Sequence, residues 1–178
     1  AEVLLLRGDG DAAARYLYAT LNHGTPLYTW CEERGQEPGA KECSGDRQHL
    51  WTPVAVCRLL RDALAMEDGR TLHLARGAAR HWLGSGQPLG ARGLATHLGR
   101  LSYEMCYDRK SRRVSGFVDL SGTGDNRVLL HVRLPEGRKI LSLPDPKGAR
   151  LNEDGTAIEF RNLSGRVRFA ATIGRESL

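Results

Sequence analysis

Lysine is scarce in this chain: of 26 basic residues among 178, 22 are Arg and only 4 are Lys. Such a bias, beside abundant Ala, Gly and Leu, looks like a product of GC-rich coding. It weakens what a formal charge of +5 would otherwise suggest. No block of consecutive basic residues occurs and no recognition motif accompanies them, so a nucleic-acid partner is not expected. The charge is also uneven. Residues 1–66 carry 7 basic and 9 acidic groups, and residues 67–178 carry 19 and 12. No stretch approaches the ~20 consecutive apolar residues of a membrane helix, so no membrane partner is expected either. The opening "AEVLLLRGDG" lacks the basic lead and long apolar core of a signal peptide and reads as a strand running into a turn. Four cysteines form no CxxC pair and no even framework. Internal repeats and low-complexity tracts are absent as well.

What is present suffices for a folded domain. The hydrophobic share is 40% with 3 Trp, and a chain of this length can bury a sizeable core. The first half has a helical period. From Gly10-Asp11, residues Ala13, Tyr16, Leu17, Thr20 and Leu21 share one face, and Asn22-His23-Gly24 closes the segment. Thr52-Pro53 then reads as an N-cap with proline at the first helical position. Val56, Leu59, Leu60, Ala63 and Leu64 make an apolar stripe up to Met66, where Glu67-Asp68-Gly69 stops it.

The second half alternates. "TLHLAR" is followed by a hairpin in which Leu101, Tyr103, Met105 and Tyr107 share a face. Val128, Leu130, Val132 and Leu134 repeat the pattern, and "KILSL", "AIEF" and "RVRFAAT" continue it between turn signals. The expectation is an α+β chain: a helical segment over 1–70, then an antiparallel β-sandwich over 71–178. Residues 77–100 are expected to be an irregular connector carrying Trp82 on a short turn. Cys57 and Cys106 read as small core hydrophobes. His73, His81, His97 and His131 carry no assigned role.

Between the two helical stripes lies "TPLYTWCEERGQEPGAKECSGDRQHLWTP" (25–53), which has no clear period. It brings Tyr28, Trp30 and Trp51 together with Cys31, Glu32, Glu33, Glu37, Glu42, Cys43, Asp46 and His49. Paired carboxyls are the means of glycoside hydrolysis, one protonating the leaving oxygen and the other activating water or attacking carbon. Indole and phenol rings stack on the apolar faces of sugars. The same parts also suit a solvated acidic loop anchored by its tryptophans.

"TPLYTWCEER", the polar loop, "SGDRQHLW", an amphipathic helix, "RTLHLARG" and a terminal β-sandwich together resemble the C-terminal end of a six-hairpin glycosidase. The likeness is to α-L-rhamnosidase-like and related bacterial enzymes built on an (α/α) toroid. It implies that residues 1–70 are the tail of that toroid. It also implies that Glu32 or Glu33 is the catalytic general base of an inverting enzyme, with Trp30, His49 and Trp51 binding substrate. In that family the general acid lies well upstream, so this chain is expected to be the C-terminal portion of a carbohydrate-active protein and not catalytic alone. The rival expectation is a non-catalytic β-sandwich module that binds carbohydrate or a protein. Cys31, Cys43 and His49 with a Glu would supply the donors of a zinc site, and a zinc-bound Cys is the nucleophile in some related six-hairpin enzymes. Their spacing matches no common zinc motif, so no metal and no cofactor is assigned. A Cys31 nucleophile activated by His49 or His23 ranks lower still.

Overall fold

The computed structural model describes residues 1–25, 27, 29–35, 37, 42–122, 124–135, 137–144 and 148–175. The fold is α+β, a small helical unit leaning on a two-sheet sandwich. Helix α1 (Glu2–Leu6) replaces the expected opening strand. A five-residue apolar run carries no decisive period, and packing settles it here, because Leu5 is fully buried against the other helices. Helix α2 (Gly10–Asn22) is capped by Asp9, whose side chain accepts from the Ala12 amide at 2.9 Å.

A two-stranded ribbon, β1 (Glu33–Arg34) and β2 (Cys43–Ser44), precedes helix α3 (Trp51–Leu64). That helix begins two residues before the expected proline position. Thr52 and Pro53 fall inside its first turn, where a missing N–H leaves no bond unmade. Leu5, Ala13, Leu17, Leu59, Ala63 and Met66 form the small core shared by the three helices and the segment that follows.

Met66 belongs to a strand rather than to the helix. Strand β3 (Ala65–Asp68) turns at Gly69 into β4 (Thr71–Leu74). After the short helix α4 (Arg80–Gly84) come β5 (Leu89–Thr96), β6 (Gly99–Asp108), β7 (Arg113–Leu120) and β8 (Arg127–His131). Strands β9 (Arg138–Ser142), β10 (Ala149–Leu151), β11 (Ala157–Arg161) and β12 (Gly165–Arg175) complete the chain. The stretch 77–100 is therefore not an irregular connector: it contains α4 and the eight-residue β5. Its glycines disguise the strand. Gly90 lies where a Cβ would strike the Tyr103 carbonyl, and a register shift between Ala91 and Leu94 accommodates Gly93 at φ 65°.

One sheet has the order β5-β6-β7-β12-β9 and is antiparallel throughout. The other, β10-β11-β8-β4-β3, is mixed, because β4 runs parallel to β8 with Leu72 opposite Val128. The purely antiparallel sandwich expected from the turn signals is thus corrected at this one pairing, which alternation along single strands cannot reveal. The inner faces meet in one core. Leu72, Leu74, Leu130 and Phe160 face Leu101, Tyr103, Met105 and Phe169, and the two Phe rings touch edge to face at 6.4 Å.

Polar groups fasten the helices to this sandwich. Asp11 accepts from Arg80 at 2.8 Å and from Arg133 at 2.6 Å, joining α2 to α4 and to the chain beyond β8. Its carboxyl is held below the usual range, first by the Arg80 hydrogen bond. The Tyr103 hydroxyl donates to the Leu64 carbonyl at 2.7 Å, at the end of α3. His73 on β4 and His131 on β8 stack, with Nδ1 and Nε2 3.1 Å apart. No helix among the described residues is long and apolar enough to cross a membrane.

Candidate functional site

The loop between α2 and α3 is closed by a disulfide between Cys31 and Cys43, whose Cα atoms are 6.0 Å apart. The ribbon creates this proximity, since β1 and β2 pair Arg34 with Cys43 and Glu33 with Ser44. Bridged cysteines offer no thiolate, so the zinc alternative loses two of its donors and the Cys–His nucleophile loses its sulfur. The other two cysteines remain thiols. Cys57 is exposed on α3, not a core hydrophobe, because it lies off the buried Leu59–Ala63 stripe; Cys106 is half-buried and bonds the Gly86 carbonyl.

Trp30 is buried, and its indole N–H donates to the Thr20 carbonyl at 2.9 Å. It pins the loop to α2 and has little free face for a sugar. The next backbone bonds extend the anchor, with the His49 amide donating to the Trp30 carbonyl and the Glu32 amide to Asp46. Thr25 and Thr29 knot the start of the loop through their hydroxyls at 2.7 Å. Tyr28 lies outside the described residues.

The two candidate carboxylates part company. Glu32 Oε2 accepts from the Asp46 amide at 3.3 Å and lies against Gly45, where a Cβ would collide with it. Gly45 adopts φ 72°, so glycine is required twice over, by conformation and by this close approach. Glu33 instead accepts from the Ser44 hydroxyl at 2.7 Å. It lines an open cleft of about 510 Å³ together with Arg34, Glu42 and Ser44. Glu33 is therefore the carboxylate that a ligand in this cleft would meet, with Glu42 on its rim.

His49 is half-buried, its ring tilted at 49° to that of Trp51 with centroids 5.0 Å apart, and Trp51 is 79% exposed. Of the two tryptophans only Trp51 presents an open ring. The structure thus brings Glu33, Ser44 and Glu42 together, sets His49 with Trp51 at the start of α3, buries Trp30, and leaves Glu32 exposed with its carboxylate bonded to the Asp46 amide.

Sequence reading missed a second aromatic group. Tyr18 on α2 and His81 and Trp82 on α4 cluster, with the Trp82 indole donating to the Tyr18 hydroxyl at 2.7 Å and His81 Nε2 3.1 Å from that oxygen. Tyr18 and His81 line an open, mostly apolar groove between the two helices. Their separation of 63 residues left no local signal to find. No protein-family model, curated protein or solved structure matches this chain.

Proposed function

We propose that this chain is the C-terminal portion of a carbohydrate-active protein of the glycoside hydrolase type. In this reading the disulfide-closed ribbon forms one wall of the sugar site. Glu33 is the water-activating base, Ser44 holds its carboxylate, and the exposed Trp51 ring with His49 receives an apolar sugar face. The observation that carries the reading is the presentation of Glu33 at an open cleft by a ribbon locked at Cys31–Cys43. A second support comes from the helices. Val3, Leu6, Val54 and Leu60 are exposed on α1 and α3, as the outward faces of toroid helices would be when separated from their neighbours.

The acid that protonates the leaving group would come from the toroid, across the sugar from Glu33. The 178-residue chain should then bind aryl glycosides weakly, more weakly still after Trp51→Ala, and turn none over. In a longer chain that includes the toroid, Glu33→Gln should lower kcat by roughly 100-fold to 10,000-fold while Glu32→Gln costs far less. Turnover by the 178-residue chain alone would sink the proposal, as would full activity of the longer Glu33→Gln variant. The openness of the same cleft also suits a non-catalytic carbohydrate-binding or interaction module. That alternative is marked by sugar binding that survives Glu33→Gln, with no turnover in any longer chain.

A further inference from the structure

An open cleft of about 600 Å³ lies between α4, the β6–β7 turn, β9 and β12. Four arginines line it, Arg109, Arg112, Arg138 and Arg175, and among the described residues no carboxylate does. We propose that this cleft binds an oxyanion: the carboxylate, sulfate or phosphate group of a small ligand. Guanidinium forks match such groups in shape, and converging cations raise the local potential that draws them in.

Two details single out the β6–β7 turn. Arg112 is one of few non-glycine residues with a positive φ, 52°. Glycine or asparagine would sit there with less strain, so an arginine at this position points to work for its side chain. The carbonyl of Arg112 accepts from the Ile173 amide at 2.8 Å, fixing the turn to β12 beside the cleft. The one acid of the turn is occupied elsewhere: Asp108 accepts from the Lys110 amide at 2.9 Å and the Ser111 hydroxyl at 2.7 Å. Arg109 is locked by donating from Nε and Nη2 to the Gly84 carbonyl, which neutralises none of its charge. Arg138 and Arg175 have further partners of their own. Arg138 also lies over the Tyr107 ring and donates to its hydroxyl at 3.2 Å. Arg109 and Arg112 thus bring positive charge to a cleft whose walls, among the described residues, carry no carboxylate.

Titration calorimetry at low ionic strength with inorganic phosphate, inorganic sulfate and glucuronate tests the site, with glucose as the uncharged control. At least one anion should bind with Kd about 1 mM or tighter, and glucose should not compete. Arg112→Gly should weaken that binding at least about tenfold while leaving Tm unchanged or higher, because glycine relieves the φ. Arg92→Ala, which removes the same charge from β5 at the far edge of the sheet, should change the affinity less than about twofold. The proposal is overturned if none of the three anions binds, or if binding is untouched in both Arg112→Gly and Arg109→Ala. It is equally overturned if Arg92→Ala weakens binding as much as Arg112→Gly does.

Discussion

The sandwich closes over its own apolar surface and the helical unit does not. Among the described residues, Leu141 alone of the exposed large hydrophobic side chains belongs to the sandwich, while Val3, Leu6, Tyr16, Leu21, Val54 and Trp51 are among those of the first 60 residues. The sandwich core joins two complete sheets and buries Tyr103, Phe160, Leu101 and Leu130 entirely. The helical core is far smaller, and alanine supplies part of it. Similar residue types in the two halves therefore have different energetic standing. A Leu in β6 is stabilising because it leaves water on folding, whereas Leu6 stays in water and adds little to the isolated chain.

The sharpest way to break this contrast is to cut into the sandwich. Phe160→Ala should cost about 3–5 kcal/mol, enough to lower the whole unfolding transition in urea, because it opens a cavity against Phe169. A loss below about 1 kcal/mol would show that the sandwich core is not the source of stability.

Next comes pH. Burial, with Arg76 adding to it, pushes His73 down to about 4; burial, then His73 and the nearby Arg76 and Arg133, push His131 down to about 3. Both sit below the ~6.5 of an unfolded histidine, so the unfolded chain binds more protons. Stability is then complete above pH 6.5 and falls as pH drops from there toward 4, by on the order of 3 kcal/mol for the first protonation. The carboxylates paired with arginine titrate below this window, whereas burial pushes the Asp62 carboxyl up, which works against the histidine slope. Burial pushes Glu159 up, but hydrogen bonds from Arg150, Arg161 and Arg127 outweigh it and hold the group at about 2. Its contribution is lost only at lower pH, as is that of Asp11. Urea titrations from pH 7 to 5 should show the slope in the native chain and a flatter one in His73→Leu. Equal slopes would remove the histidine pair from the explanation.

The smallest effect is expected on the open helical face. Leu6→Ser and Val54→Ser should change stability by no more than about 0.5 kcal/mol and reduce self-association on size-exclusion chromatography. A larger loss would mean that this face is already partnered within the chain.

Much of the sandwich was legible because its strands alternate. Leu101, Tyr103, Met105 and Tyr107 share a face by their spacing, and all four are buried. Helix α2 was legible as an element from its period and stop signals, but of the expected face only Ala13 and Leu17 are buried, while Tyr16 and Leu21 are exposed. Strand β5 was not, since Gly90 and Gly93 answer to a neighbouring carbonyl and a bulge rather than to any period. The β4–β8 pairing was invisible for a different reason, being a contact between distant segments with no turn to announce it. At the candidate site, residue types marked the right loop but could not rank its members. The burial of Trp30 depends on a carbonyl in α2, and the separation of Glu32 from Glu33 depends on a ribbon register. Cys31 and Cys43 stand 12 residues apart with nothing between them that signals a bridge.

The parallel pairing of β4 with β8 also dictates an order of events during synthesis. β4 ends at Leu74, and its partner begins only at Arg127, after the whole β5–β6–β7 meander has been made. Those three strands need only hairpin closures and can assemble while β4 still waits, since short loops close at lower entropic cost than long ones. The Asp11–Arg133 clamp waits longer, for a residue 122 positions downstream. Helices α1 to α3 are thus made early in this sequence but are fully clamped only once Arg133 has emerged. Throughout that interval their apolar faces are open to whatever else is being made nearby.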